Sequence, residues 1–200
     1  ERNIVASIVY TMTEFATIDK VRILVNGYEQ GVLKYGTDIA GALGREDIVI
    51  NTDTDVAANG MSKADIFLLR QVNERFTFIV PVSVADTESA GDMPGFLVRQ
   101  LLSADTDSRL FNEMPTTTKL LEWNMKDGIL TLDFNESFTD YGGNSREEGL
   151  IKQLVYTMKQ IEGIKRLKIL VEGARAQLPE GTDISAGLAI PSVINDVVDR

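Results

Sequence analysis

Three carboxylates stand close enough together in the sequence to suggest acid–base chemistry. Asp133, Glu136 and Asp140 follow one another at the end of a predicted strand, and pairs of carboxylates hydrolyse glycosidic bonds in many enzymes. Tyr141 could stack on a sugar ring beside them. The simpler interpretation is structural, because strand alternation turns Asp133 outward and the other two acids precede a helix, where negative charge is favoured. We favour this interpretation and keep a carbohydrate site as the alternative.

A group of basic residues is the second candidate site. Lys165, Arg166 and Lys168, with Lys159 and Arg175 nearby, stand out in a chain of formal charge -10. Alternation places Arg166 and Lys168 on the exposed face or the edge of a strand. Charges there could simply be solvated and discourage edge-to-edge aggregation, or they could contact an acidic patch of a neighbouring subunit. The sequence therefore gives Lys165, Arg166 and Lys168 as candidate protein-interaction residues.

One polar segment resembles the start of a calcium loop. Asn51, Asp53 and Asp55 stand at alternate positions, but Val56 replaces the required Gly and Ser62 replaces the required Glu. A solvated linker is the better interpretation. The chain also has no Cys and no His, which excludes thiolate metal sites, disulfides and a Ser-His-Asp triad. We therefore predict no catalytic residue, no metal site and no cofactor.

Composition narrows the classes of partner. The chain has 30 Asp and Glu against 20 Lys and Arg. This net negative charge opposes a general attraction to nucleic acid or to anionic membrane surfaces. No apolar run approaches the length of about 18 residues that a membrane-spanning helix needs. The sequence opens directly in a helical pattern at Glu1, and we expect it to be part of a longer protein whose targeting region is missing.

The elements that would position these residues can be predicted from periodicity. Apolar residues at steps of three and four predict an amphipathic helix from about 146 to about 162. Ser145 is its predicted N-cap, Glu148 completes a capping box, and Gly163 suits the left-handed residue that ends a helix. The alternating segment "RLKILV" then predicts a strand with one buried face.

Further elements precede this helix. Asp127 and Gly128 between two alternating runs predict a two-residue β-hairpin, with Leu130, Leu132 and Phe134 on one face of its second strand. The segment "GFLVRQLLS" predicts a shorter helix, and "DIFLLRQVNERFTFIVPVSV" predicts another hairpin. Residues from about 64 to 173 thus have the order β-β-α-β-β-α-β. This order predicts an α+β domain with helices on one face of a mostly antiparallel sheet.

The sequence of the last helix and strand of this domain occurs twice in the chain. Residues 8–27, "IVYTMTEFATIDKVRILVNG", match residues 154–173, "LVYTMKQIEGIKRLKILVEG", with nine of twenty positions identical. A related tail containing "GTDI" follows each copy. We therefore predict that 1–50 is the C-terminal half of a first domain, 51–63 a linker and 64–200 a complete second domain.

The first copy keeps an apolar helix face without the hairpin that should cover it. We expect another part of the chain or another molecule to cover that face. The apolar positions shared with the second copy are Ile4, Val5, Ile8, Val9, Met12 and Phe15.

The repeat "IVASIVYTMTEFATIDKVRILVNG", the hairpin "KDGILTLDFNESF", the approach "MPTTTKLLEW" and the "GTDI" tails together resemble the GerMN domain family of spore-forming bacteria. The resemblance covers nearly the whole chain. It implies tandem domains that look like the ring-building motif of a channel complex between the mother cell and the forespore. It also implies an extracytoplasmic lipoprotein, although this chain lacks the lipid-attached Cys.

The function that we predict from the resemblance is a non-enzymatic assembly or interaction module in sporulation or germination. Its expected partners are other subunits of the channel complex, or a second copy of the chain. We expect no nucleic acid partner and no membrane contact except through a lipid anchor that this chain lacks. The alternative function is binding or processing of cell-envelope carbohydrate such as peptidoglycan.

Overall fold

The computed structural model describes residues 1–52, 62–73, 76–86, 91–104 and 110–192. The chain divides into two compact units, Glu1–Lys63 and Ala64–Arg200. Most of the predicted linker lies outside the described residues, so the predicted domain boundaries stay predictions.

The first unit consists of one helix followed by short paired strands. Strand β1 pairs antiparallel with β4, and β2 pairs antiparallel with β3. Positive φ angles of 54° at Asn26 and 83° at Gly27 form the tight turn between β2 and β3. The described elements are α1 (Arg2–Met12), β1 (Val21–Arg22), β2 (Leu24–Val25), β3 (Tyr28–Glu29) and β4 (Ala42–Leu43).

The second unit has the predicted β-β-α-β-β-α-β order, followed by two short strands. Strand β5 begins at the boundary between the units. The described elements are β5 (Ser62–Asn73), β6 (Phe76–Asp86), α2 (Met93–Leu102), β7 (Leu120–Lys126), β8 (Ile129–Phe134), α3 (Asn144–Met158), β9 (Arg166–Val171), β10 (Ala174–Arg175) and β11 (Leu188–Ala189).

The main sheet of the second unit has the order β10-β9-β8-β7, with β11 also pairing with β9. Strands β8 and β9 are parallel, because α3 connects them. The other pairs of this sheet are antiparallel. Strands β5 and β6 form a separate two-stranded sheet. The predicted α+β fold with a mostly antiparallel sheet is confirmed.

The hairpin between β7 and β8 shows why the core lies on one face of this sheet. Asp127 and Gly128 have φ angles of 54° and 81°, as the predicted two-residue turn requires. Leu130, Leu132 and Phe134 are fully buried and pack in one cluster with residues of α2 and α3. Each such side chain contributes about 1.5–3 kcal/mol of gross stabilisation when it is buried.

The ends of α3 differ from the prediction. The helix begins at Asn144 with Gly143 as its N-cap, and no side chain caps it, so the predicted capping box of Ser145 and Glu148 is wrong. The helix ends at Met158, before the predicted 162. There, Gln160 donates from Nε2 to the carbonyl of Thr157 at 2.7 Å, which takes the acceptor that the next turn of helix would use.

The repeated segments have the same strand register in both units. Val21 pairs with Leu43 across β1 and β4, and Leu167 pairs with Leu188 across β9 and β11. These four positions match one another in the sequence repeat. The similarity of the sequences therefore extends to the pairing of their strands.

The apolar face of α1 is only partly covered. Val5 and Val9 are buried in the core of the first unit, but four neighbours stay exposed, Ile4 by 65% and Phe15 by 60% of their surface. Their counterparts on α3 pack against α2 and the main sheet, and the described part of the first unit has no equivalent of those elements. The exposed residues are Ile4, Ile8, Met12 and Phe15; the fully buried counterparts are Leu150, Leu154 and Met158.

Candidate functional site

The predicted basic residues lie on the outer face of the main sheet. Arg166 and Lys168 are exposed and alternate along β9 with buried Leu167 and Ile169. Strand β9 lies between β8 on one side and β10 and β11 on the other, so these residues occupy the face of the sheet and not its edge. Lys165 directly precedes β9 and is also exposed.

These three cations differ in how far the protein itself uses them. Arg166 donates from Nη1 to the carbonyls of Ala186 and Gly187, each at 3.2 Å, and so helps to hold the tail strand β11. Lys165 has its backbone N–H bonded to the carbonyl of Gly128 at 2.7 Å. Lys168 makes no ion pair or hydrogen bond through its side chain with any part of the chain that the structure describes. The side chain of Lys165 likewise has no such partner among the described residues, so both lysines are available to a partner.

The same face continues across the neighbouring strands β8 and β7. Strand pairing places Thr131 beside Lys168 and Ile129 beside Arg166. Lys126 of β7 pairs with Ile129, which adds a further cation to the row. We call the residues Lys126, Ile129, Thr131, Arg166 and Lys168 the outer sheet face. Its residues are exposed, apart from the half-buried Thr131.

The three carboxylates of the alternative hypothesis do not form a shared site. Asp133 accepts a hydrogen bond from the backbone N–H of Gly173 at 3.0 Å, which fixes the turn after β9. Glu136 and Asp140 are exposed around a 3-10 turn. Two cavities among the described residues, of about 210 and 540 Å³, are lined by other side chains.

Tyr141 is likewise unavailable as a stacking platform. Its side chain is half-buried against the core, and its hydroxyl donates to Glu147 Oε2 at 3.0 Å. Burial, followed by this hydrogen bond to Glu147, raises the pKa of Tyr141 above its ordinary value. These contacts favour a structural role for Tyr141.

Glu147 is a buried carboxylate that periodicity did not single out. It has no exposed surface, and its two oxygens accept from the backbone N–H of Glu180 at 2.9 Å and of Thr182 at 3.0 Å. Burial alone would raise the pKa of Glu147, but hydrogen bonds from Thr182, Glu180 and Tyr141 lower it below its ordinary value. Glu147 therefore fastens the tail to α3 as an ionised group.

The repeat contained the signal that could have identified this acid. Glu1 occupies the matching position of the first copy, and its Oε2 accepts from the backbone N–H of Tyr35 at 2.8 Å. Tyr35 corresponds to Glu180 in the second tail. Both units thus use a glutamate at the start of a helix to hold the "GTDI" tail.

A row of polar side chains on α3 and just after it was not predicted from the sequence. Thr157 is fully buried, and its hydroxyl accepts from the N–H of Phe67 in β5 at 3.0 Å. Gln153, also buried, donates from Nε2 to the carbonyl of Phe67 at 3.2 Å. Gln160 exchanges two such bonds with the backbone of Asp65, at 3.0 and 2.6 Å. Side chains of a helix thereby satisfy the backbone of β5, as a neighbouring strand would.

The shared Thr positions of the repeat have different environments. Thr157 is buried under β5, whereas its counterpart Thr11 is exposed on α1. Tyr156 packs against Phe67 with ring centroids 5.8 Å apart, and Tyr10 lies under the guanidinium of Arg45 at 5.0 Å. The two copies therefore share a sequence pattern here but not the same contacts.

The metal hypothesis finds no support in the described part of the chain. Asp53 and Asp55 lie outside the described residues. Within the ranges that the structure covers, no three acidic side chains converge as metal ligands. Nor does any helix in these ranges have the length and apolarity needed to cross a membrane.

The family model described as "Germane: Sporulation and spore germination" matches residues 1–31 and 66–177. The chain belongs to the Germane family. The match includes α1 and most of the second unit, which are the segments that carry the internal repeat. A sporulation-related role follows from membership of the Germane family.

Relatives agree with the family match. The spore germination protein GerM of Bacillus subtilis (strain 168) is 28% identical over 205 residues, which include 98% of this chain and 55% of GerM. The chain thus spans about half the length of this curated relative.

Solved structures show the same fold. The tandem GerMN domains of the sporulation protein GerM from Bacillus subtilis match with a TM-score of 0.78 and 26% identity, over 98% of this chain and 70% of that one. The first GerMN domain of the same protein matches with a TM-score of 0.50 and 16% identity, over 66% of this chain and 96% of that one. This Germane chain therefore has the tandem GerMN architecture.

Proposed function

We propose that this chain is a non-enzymatic assembly module in sporulation or germination. Its partners are other subunits of the channel complex between mother cell and forespore, or a second copy of the chain. The observation that carries the proposal concerns the hydrogen bonds of the polar side chains. In the described residues, the buried acids, amides and hydroxyls mostly form hydrogen bonds with the protein's own backbone.

Three bonds illustrate this use. Asp133 holds the turn after β9, Glu147 holds the tail, and Thr157 holds β5. A catalytic acid needs an open position within reach of a substrate atom. These groups instead form hydrogen bonds within the protein, and this favours a role in which the chain binds partners through its surface.

The outer sheet face is the surface that we propose for assembly. It combines exposed cations with Ile129 and Thr131 in an otherwise acidic protein, so an acidic patch on a partner would complement it. Lys168 is the residue to test, because Arg166 also supports β11 and its substitution would disturb the fold.

We also propose an extracytoplasmic location, with a lipid anchor outside the residues of this chain. The relation to a spore germination protein supports this location. Protease treatment of protoplasts from sporulating cells, before engulfment of the forespore is complete, would test it, because an extracytoplasmic protein is then cleaved while the membranes are intact and a cytoplasmic protein is cleaved only after they are breached.

The assembly proposal can be tested by reversing one charge. We expect Lys168→Glu to weaken association with envelope proteins about tenfold, since replacing an attraction by a repulsion at an exposed site changes the binding free energy by about 1–2 kcal/mol. Copurification from sporulating cells, with sedimentation of the purified chain for self-association, measures this effect.

Lys152→Glu is the matched control. Lys152 is exposed on α3, away from the outer sheet face, and its only ion pair among the described residues is with Glu148. The same change of net charge there should leave association unchanged. Equal effects of both variants, or none from Lys168→Glu, would contradict the proposed surface.

A further inference from the structure

A second surface of the second unit has the features of a ligand site. A groove of about 540 Å³ lies between the C-terminal end of α2 and the beginning of β7. None of the residues that line this groove belongs to the outer sheet face. The lining residues are Arg99, Leu102, Ser103, Thr118, Lys119 and Leu120.

Two basic side chains line this groove, and one of them already forms an ion pair with Asp92. Arg99 and Lys119 are both exposed at its border, and the chain as a whole carries a formal charge of -10. Arg99 bonds to Asp92 through Nη1 at 2.9 Å, which leaves other donors of its guanidinium for a ligand. Lys119 has no ion pair with any described residue. Two cations converging on one groove favour an anionic ligand.

Two of the carbonyls at the end of α2, which would repel an anion, are already occupied. The carbonyl of Arg99 accepts from the backbone N–H and the hydroxyl of Ser103 at 2.9 and 2.8 Å. The carbonyl of Leu101 accepts from Nδ2 of Asn112 at 2.7 Å. These bonds reduce the negative potential that a helix C-terminus otherwise presents.

Thr118 supplies an independent observation. Only 5% of its surface is exposed. Its Oγ1 is the one buried side-chain nitrogen or oxygen in the described residues that lacks a hydrogen-bond partner. Native proteins rarely leave such an atom unsatisfied without a reason. A ligand acceptor in the groove would provide the missing partner after rotation of the Thr118 side chain.

The groove also has an aliphatic part. Leu102 and Leu120 line it and are only partly buried, so they offer apolar surface next to the cations. A small inorganic anion would leave this surface uncovered. A peptide that carries a carboxylate beside an aliphatic side chain would use both parts.

We propose that this groove binds a carboxylate-bearing peptide segment of a partner protein. The carboxylate lies between Arg99 and Lys119, accepts a hydrogen bond from Thr118, and places a neighbouring aliphatic side chain on Leu102 and Leu120. The inference rests on the proposed function, because it gives the chemistry of one partner segment. It concerns a different surface from Lys168, so the two proposals can fail separately.

Nuclear magnetic resonance titration of the whole chain tests the site with defined probes. The probes are acetyl-Leu-Glu-Leu-amide, its neutral counterpart acetyl-Leu-Gln-Leu-amide, acetyl-Leu-Leu with a free terminal carboxylate, and inorganic phosphate. We expect the amide signals of Leu102, Ser103, Lys119 and Leu120 to shift with a carboxylate-bearing peptide and not with the neutral one. Whichever of the two acidic peptides binds more tightly identifies a side-chain or a terminal carboxylate as the natural source.

Three variants distinguish a built site from general charge attraction. Lys119→Gln should weaken binding of the better peptide about tenfold, and Thr118→Val, which keeps the shape of the side chain, should weaken it several-fold without unfolding the protein. Lys152→Gln is the matched control, because Lys152 is an exposed lysine on α3 that belongs neither to the groove nor to the outer sheet face. It should leave binding unchanged.

Several results would overturn the inference. These are equal shifts with the neutral peptide, equal losses in Lys119→Gln and Lys152→Gln, or shifts centred on other residues. Phosphate that produces the same shifts at the same concentration as the peptides would show a simple anion site. Unchanged binding in Thr118→Val would remove the hydroxyl from the site and contradict that part of the proposal.

Discussion

Replacing Glu147 by Gln tests whether the tail of the second unit depends on one buried charge. Each carboxylate oxygen of Glu147 accepts from a different backbone N–H, of Glu180 and of Thr182. A Gln amide has one oxygen and one NH₂ group, so either orientation sets the NH₂ donor against a backbone donor. At least one buried N–H then loses its acceptor.

The magnitude follows from these contacts. Hydrogen bonds to a charged group contribute about 1.5–3 kcal/mol each, and a buried donor left without an acceptor costs about 1–3 kcal/mol. We expect Glu147→Gln to lower the free energy of unfolding by about 3 kcal/mol. For a unit of this size that corresponds to a melting temperature lower by about 10 °C.

The assay is urea unfolding followed by tryptophan fluorescence. The chain has a single Trp, Trp123 in β7, where Nε1 donates to Asp92 Oδ1 at 2.7 Å, so the signal reports on the second unit. Glu148→Gln is the matched control, since the Glu148 side chain is 69% exposed and, among the described residues, forms an ion pair only with Lys152, at 3.5 Å. Its effect should stay below about 0.5 kcal/mol. A Glu147→Gln variant as stable as Glu148→Gln would refute the reasoning.

Three further predictions use the same assay or circular dichroism. Thr157→Val should lower the free energy of unfolding by about 1–3 kcal/mol because a buried N–H of β5 loses its acceptor; Thr11→Val, at the exposed matching position, should change it by less than about 0.5 kcal/mol. Gly128→Ala should cost about 2 kcal/mol, more than Gly163→Ala. Both have positive φ, but only at position 128 would the new Cβ collide, with a lysine side-chain carbon at 2.9 Å. The pKa of Glu147 is lowered in the folded state, so its contribution to the free energy of unfolding should be fully present above about pH 4.3, the ordinary pKa of Glu. This contribution should be lost as the pH falls through the folded pKa of Glu147. Urea unfolding at a series of pH values should show a smaller loss of stability in Glu147→Gln than in the unchanged chain, and parallel curves for the two would contradict this.

Local patterns were sufficient to predict the order of elements. The Asp127–Gly128 turn and the alternation of Leu130, Leu132 and Phe134 depend on neighbours in sequence, and each was confirmed. Periodicity likewise predicted the central part of α3. Its ends were wrong because they depend on contacts with distant residues, such as the bonds of Gln160 to Asp65, 95 positions away.

The same reason explains which site residues were missed. A buried acid such as Glu147 cannot be distinguished from an exposed one by its own sequence window, because its partners follow 33 and 35 residues later. The groove beside Thr118 joins the end of a helix to a strand that begins many residues away. Lys165, Arg166 and Lys168 stand together in sequence, so their proximity was predictable, although the different uses of Arg166 and Lys168 were not.

The bonds between α3 and β5 have a consequence for synthesis of the chain on the ribosome. Phe67 is made 90 residues before Thr157, which accepts its N–H. At about 5–20 residues per second, the delay is roughly 5–18 s. During that time β5 is an unfinished sheet edge able to pair with another nascent chain. Chains stalled before residue 157 should therefore exchange the amide hydrogen of Phe67 rapidly, and those released with α3 complete should protect it.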